Sequence, residues 1–131
     1  MFVDASAMVA MLTEEREGDQ LARILERAES PITSAIAIYE TATRLMSKSS
    51  LSGEEARRTV ADFLRAANIR VVPIDRRDAD AALVAFERFG KRRHSAGLNM
   101  GDCFAYACAR ALGVPLLYKG GDFAQTDLAL R

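Results

Sequence analysis

An α/β fold, with a short parallel sheet covered by helices on both faces, is what this chain of 131 residues predicts. Short apolar runs alternate with helical patterns of ten or more residues, the rhythm of βαβ units. Half of the residues are hydrophobic and 27% are charged, an ordinary globular mixture rather than that of a disordered chain. The length lies a little under the ~150 residues expected of one domain. A single domain over residues 1–131 is therefore expected, large enough to bury its core without disulfide or metal staples.

The elements follow in order. Phe2-Val3 is a short strand ending at Asp4, and a helix starts near Ser6 and runs to Leu12. From Gly18 to Arg27, Leu21, Ile24, Leu25 and Ala28 recur at helical spacing, until Ser30-Pro31 breaks the pattern. Ile32-Thr33 is a brief strand, and Ser34 caps a helix carrying Ile36, Ile38, Tyr39, Ala42, Leu45 and Met46. Ser47 to Gly53 reads as a polar turn. Ser52-Gly53-Glu54-Glu55 then opens a helix through Val60, Phe63 and Leu64, with acids where the helix dipole favours them.

The β-branched run Ile69 to Ile74 is the clearest internal strand. Asp75 and Asp78 cap a helix whose apolar stripe is Ala79, Ala82, Leu83 and Phe86, and Gly90 ends it. Lys91 to Leu98 is a polar, basic loop. Gly101-Asp102 leads into the helix Cys103–Leu112, closed by Gly113. Val114 to Tyr118 is a buried strand interrupted by Pro115, and Lys119 to Phe123 form the turn after it.

Composition excludes several classes. Eighteen Lys plus Arg balance eighteen Asp plus Glu, so any nucleic-acid contact must come from a local patch rather than a surface basic all over. The longest largely apolar run, Ala5 to Leu12, falls far short of the ~18 residues needed to cross a bilayer. A secretory leader would need a basic start, whereas Asp4 is the charge before that run. A soluble, cytoplasmic protein without membrane contact is expected. In one helix, Cys103 and Cys108 would have Cα atoms roughly 8–9 Å apart, beyond the ~7 Å limit for a bridge. With a single histidine there is no zinc pattern, and without a glycine-rich phosphate motif a dinucleotide enzyme is disfavoured.

In open parallel sheets, ligands bind beyond the carboxyl ends of the strands, where the strand order reverses. Asp4 follows the first strand, Asp122 follows the last, and Asp102 opens a helix that can face them. Glu40 is the odd residue in a stretch otherwise fit for burial. Each acid also has a structural explanation. Asp4 can cap a helix, Asp102 can form a capping box with Asn99, Asp122 can serve a turn, and Glu40 can pair with Arg44 at i, i+4. As a set they are harder to explain that way. Like charges within ~4 Å cost roughly 4 kcal/mol per pair at an effective dielectric of 20, so clustered carboxylates must protonate or hold cations. Oxygen-only donors select hard ions, Mg²⁺ or Mn²⁺, over zinc. Such ions bind phosphate oxygens and acidify water, which is the chemistry of phosphodiester hydrolysis.

The residues carrying these features resemble the PIN-domain family, and within it the VapC-type toxins of bacterial toxin–antitoxin pairs. The likeness spans essentially the whole chain. It rests on Val3-Asp4-Ala5-Ser6, on Tyr39-Glu40, on the run from Arg88 to Ala107 around Asn99-Met100-Gly101-Asp102, and on Pro115 to Gly120 followed by Asp122-Phe123 and Thr126-Asp127. The resemblance implies a PIN-like three-layer α/β/α sandwich with a short central parallel sheet, and a Mg²⁺-dependent endoribonuclease in which Mn²⁺ can substitute. Asp4, Glu40, Asp102 and Asp122 match the acidic positions, and Ser6 matches the small hydroxyl residue beside the first acid. Asp4 and Asp102 are then expected to touch the metal, with Glu40 and Asp122 acting directly or through water. A homodimer, a VapB-like antitoxin and an RNA substrate are also implied. Gly121 departs from the Asp or Asn of many members, and Arg92 and Ser95 stand where Gly and Pro are expected.

Other signals are weaker. Lys91-Arg92-Arg93-His94 reads by default as a solvated loop, with RNA phosphate contact as the alternative. Phe86 and Phe89 read as core. Two further functional readings use the same residues: a catalytically silent binding module whose acidic pocket docks a partner's cation, and a metal-dependent nuclease acting on DNA.

Overall fold

A computed structural model describes residues 1–128. β1 (Phe2–Val3) leads to α1 (Ala5–Leu12) and α2 (Gly18–Glu26), and β2 (Ile32–Ser34) leads to α3 (Ala35–Ser49) and α4 (Gly53–Ala66). β3 (Arg70–Val72) is followed by α5 (Arg76–Phe89) and α6 (Met100–Leu112), then by β4 (Leu116–Leu117) and a single 3₁₀ turn at Phe123–Gln125. All paired strands are parallel, in the order β3-β2-β1-β4. The chain thus steps outward from β1 to β3, crosses back over the sheet through α5 and α6, and lays β4 on the other side of β1. The order reverses between β1 and β4, as a doubly wound sheet requires at its ligand-binding point.

Strand alternation sorts the core into two layers of helix around one of sheet. Phe2 is in register with Ile32 and Leu116, and these side chains pack with Ala85, Phe89, Cys103 and Tyr106 of α5 and α6. Val3 and its partner Leu117 face the other way, against Met8 of α1 and Leu21 and Leu25 of α2. Leu45, Ala56 and Val60 join α3 to α4 on that second side. The three-layer α/β/α sandwich with a short parallel sheet is as expected from the pattern.

Local chemistry starts the helices where the sequence indicates. Ser52 with Glu55, Asp75 with Asp78, and Asn99 with Asp102 each form a reciprocal capping box. Each such cap contributes about 1 kcal/mol. Cys103 and Cys108 are buried and free, and burial pushes both thiols up to about 11.

Four stretches differ from the pattern. The first three residues of the turn read at Ser47–Gly53 continue α3, which stops at Ser50 in a left-handed conformation (φ 53°). The strand read over Ile69–Ile74 pairs only at Arg70–Val72, because Ile69 donates back to Leu64 O and Pro73 has no N–H for the ladder. The strand read over Val114–Tyr118 shortens to Leu116–Leu117, although Pro115 O still accepts from Phe2 N–H at 2.8 Å. In the polar loop Lys91–Leu98, a bridge between Gly90 and Leu98 closes the base and buries Leu98. No helix among the described residues is long and apolar enough to cross a membrane.

Candidate active site

β1 ends at the switch point, and its next residue is Asp4. Asp4 keeps an extended backbone and caps α1. Its Oδ2 accepts the Ser6 backbone N–H at 2.9 Å and the Ser6 hydroxyl at 2.5 Å. The same hydroxyl accepts the Lys119 backbone N–H at 3.0 Å. One side chain therefore ties the acid after β1 to the segment leaving β4. Asp4 is 3% exposed, the one charged residue in the buried set among those described. Burial raises its pKa, and the Ser6 bonds oppose that rise.

Glu40 and Asp102 arrive from opposite layers. α3 begins at the end of β2 and presents Glu40, whose carboxyl rests against the Cα of Gly101 in the first turn of α6. A methyl group at Gly101 would overlap that carboxyl; even the farther oxygen, Oε2, would be 2.7 Å from it. Asp102 follows directly. Its Oδ2 accepts the Asn99 N–H at 3.0 Å, and its own N–H donates to Asn99 Oδ1 at 2.9 Å. The capping box offered as a structural explanation is present, and it holds Asp102 in place without removing it from the site. Asp122, exposed in the turn after β4, lines the same cleft.

Charge shows that these groups feel one another. Glu40 is pushed up to about 7, first by burial and then by the charges of Asp4 and Asp102. Asp102 is pushed up to about 6, again mainly by burial, with Asp4 and Asp122 adding to the rise and the Asn99 bond opposing it. The cleft beside them has a volume of about 420 Å³, with Ser6, Arg44, Asn99, Asp102, Lys119 and Asp122 in its lining. A larger hollow of about 570 Å³ between α2 and α4, lined by Met11, Leu25 and Phe63 among others, contains none of the four acids. The smaller one is the cleft that Asp102 and Asp122 line.

Among the described residues, no three His, Cys, Asp or Glu side chains close on one point as a ready-made chelate. Zinc sites ordinarily need such a cage. A hard cation of the Mg²⁺ type instead keeps several waters and takes one or two carboxylates, so this open, oxygen-only donor set fits it. Asp4 and Asp102 could supply direct oxygens, and Glu40 and Asp122 could act directly or through water.

Three cations also line the cleft: Arg44, Lys48 and Lys119. Glu15, in the turn between α1 and α2, binds Lys48 at 2.5 Å and also binds Lys119. The two ammonium groups hold its carboxyl down at about 2. Glu15, Lys48, Lys119 and Gly101 carried no signal as site residues, since their roles depend on contacts between segments distant in sequence. The Glu40–Arg44 surface pair does not form, as Arg44 makes no ion pair among the described residues. In the basic loop, His94 Nδ1 accepts the Ala96 N–H at 3.0 Å and its ring meets Phe89 edge-on at 5.2 Å. Neither His94 nor the adjoining basic residues are in the cleft lining. Phe89 is core as expected, while Phe86 is only partly buried.

A doubly wound parallel sheet with an acidic pocket at its switch point defines the class: the chain belongs to the PIN-domain family, whose model matches residues 1–128. Its curated relatives place it in the VapC group of that family. It is 44% identical over 131 residues to Ribonuclease VapC of Mycolicibacterium smegmatis, covering 98% of each chain. It is 39% identical to Ribonuclease VapC30 of Mycobacterium tuberculosis, covering 98% of this chain and 96% of the relative. Ribonuclease VapC36 of the same species is 41% identical, covering 100% and 93%. The crystal structure of M. tuberculosis VapC20, a sarcin-ricin loop cleaving toxin, superposes with a TM-score of 0.76 at 21% identity, over 98% of this chain and 95% of that one. At that identity the likeness shows the fold.

Proposed function

We propose that the chain is the toxin ribonuclease of a toxin–antitoxin pair, hydrolysing RNA phosphodiester bonds with Mg²⁺, or Mn²⁺ in its place. The observation that carries this is the nearness of Asp4, Glu40 and Asp102 at the switch point. Burial pushes up both Glu40 and Asp102, the charge of Asp4 adds to each rise, and Asp102 adds to that of Glu40, so the group favours a counter-cation or a proton. The VapC relatives, named as ribonucleases and matched nearly end to end, support the RNA assignment.

When bound, the cation would supply a Lewis acid for the phosphate and would make a water molecule more acidic. The protein supplies the rest. Asp4 and Asp102 would hold the ion, one fixed by Ser6 and the other by Asn99. Glu40 and Asp122 would complete the set from α3 and from the turn after β4, directly or through water, and would help to orient a water molecule.

The partners follow from the same reading. We infer a VapB-like antitoxin that blocks the cleft, and a homodimer. Leu83 and Val84 of α5, 60% and 54% exposed, are apolar surface that a second copy would cover. Light scattering on the purified chain tests the dimer. A short reading frame immediately upstream, whose product co-purifies and blocks cleavage, tests the antitoxin.

The central experiment is cleavage of RNA by the purified chain with Mg²⁺ or Mn²⁺. Chelator should stop it. Asp4→Asn and Asp102→Asn should each abolish it while circular dichroism stays native. Cleavage at the wild-type rate in both variants would remove this site from the reaction.

A further inference from the structure

The cleft lining sets three acids, Glu15, Asp102 and Asp122, against three cations, Arg44, Lys48 and Lys119, so a polyanion entering it needs positive charge that is not already committed to a carboxylate. Of the three cations in the lining, Lys48 and Lys119 are both held by Glu15. Arg44 is not held. It lies one helical turn beyond Glu40 on α3, is exposed, and lines the cleft with Asp102 and Asp122. Spacing of i, i+4 puts it on the same helix face as Glu40, where an ion pair between the two would ordinarily form. Among the described residues it forms neither an ion pair nor a hydrogen bond to any side chain. Its charge is nonetheless felt at Asp4, Glu40 and Asp102, favouring the ionised form of each.

We propose that Arg44 is a substrate-contacting residue whose guanidinium takes the non-bridging oxygens of an RNA phosphodiester entering the cleft. The planar fork of Arg matches two phosphate oxygens at once, and its weak hydration lowers the cost of leaving water. Its placement one turn from Glu40 brings the phosphate beside the acids instead of along a distant surface. This rests on the reading of the cleft as an RNA-cleaving site.

The test separates binding from turnover. A fluorescein-labelled single-stranded RNA oligomer is titrated with the Asp102→Asn chain, with and without Arg44→Ala, and followed by anisotropy across a salt series. Losing one charge-assisted phosphate contact should weaken binding about tenfold. The log–log salt slope should become shallower by about 0.7, the share of one phosphate on a single strand. In the otherwise wild-type chain, Mg²⁺ titrated alone should bind Arg44→Ala at least as tightly as before, because a cation has been taken away from the carboxylates.

Arg44→Lys keeps the charge but loses the fork, so it should restore the slope and only part of the affinity. Unchanged RNA affinity and slope in Arg44→Ala would overturn the proposal, whatever happens to cleavage. So would an Arg44→Lys chain that folds but recovers neither quantity, since the side chain would then serve only packing. If the wild-type chain binds RNA through Arg44 yet cleaves none, the nuclease reading fails and this assignment stands.

Discussion

The Glu40 carboxyl occupies the space that a side chain on Gly101 would need, so two residues sixty-one positions apart are fitted to each other across the layers of the fold. Gly101 sits in the first turn of α6 immediately before Asp102 and gives the Glu40 acid its place beside Asp4 and Asp102.

Gly101→Ala should therefore fold and fail to cleave. The obstructed group is the far end of a flexible side chain, which can swing away without disturbing the backbone. A displacement of that order costs about a hundredfold in turnover when the moved group serves the chemistry. Glu40→Ala should lose a comparable amount, and the double variant should lose no more than Glu40→Ala alone. Cleavage assays on the three variants, with circular dichroism as the control for folding, check this.

Metal and protons should compete at the site. Glu40, ordinarily at 4.5, is pushed up to about 7, and Asp102, ordinarily at 3.8, to about 6. Between those values the folded chain holds more protons than the unfolded one, so these two groups make the metal-free protein lose stability as pH rises toward 7. Mg²⁺ relieves the repulsion and should reduce that loss. Thermal melts at pH 5 and pH 8, with and without Mg²⁺, should show the metal raising the melting temperature more at the higher pH. Calorimetry in buffers of different ionisation enthalpy should detect proton release on Mg²⁺ binding near pH 6.

Ser6→Ala should loosen the junction between β1 and β4. The hydroxyl both donates to Asp4 and accepts from the Lys119 N–H, so its loss removes two contacts at the switch point. A cost of about 1–2 kcal/mol is expected, mostly from the weakened cap and the stranded amide. Urea unfolding measures it, and a drop in Mg²⁺ affinity should accompany it because Asp4 becomes harder to ionise.

Glu15→Gln should free Lys48 and Lys119. Glu15 is held down at about 2, below its ordinary 4.5, so its contribution to stability is present above 4.5 and fades as pH falls toward 2. At neutral pH the variant should lose little stability, under about 1 kcal/mol for ion pairs at a surface. RNA should bind it more tightly, with a steeper salt dependence, as two ammonium groups turn outward. Anisotropy across a salt series decides this.

Periodicity made the fold class legible, because the short apolar runs Phe2-Val3, Ile32-Thr33, Ile69–Ile74 and Val114–Tyr118 alternate with helical stretches along the chain. Caps such as Ser34, Asp75 and Asn99 were legible for the same local reason. Strand ends were not, since a ladder stops where its neighbour stops and Pro73 or a rival acceptor such as Leu64 O intervenes. The four acids could be picked out by their places after strands and at a helix start, and by their resemblance to a known pattern.

Only tertiary structure decided what lies against them. Residues brought together from separate segments leave no trace in local spacing, so Gly101 under Glu40, Glu15 between two lysines, and Arg44 without an ion-pair partner among the described residues emerge only when the layers close. Local sequence determines backbone elements and their caps through short-range forces, whereas the net charge and shape of a cleft are sums over side chains that only the folded chain brings within reach of one another.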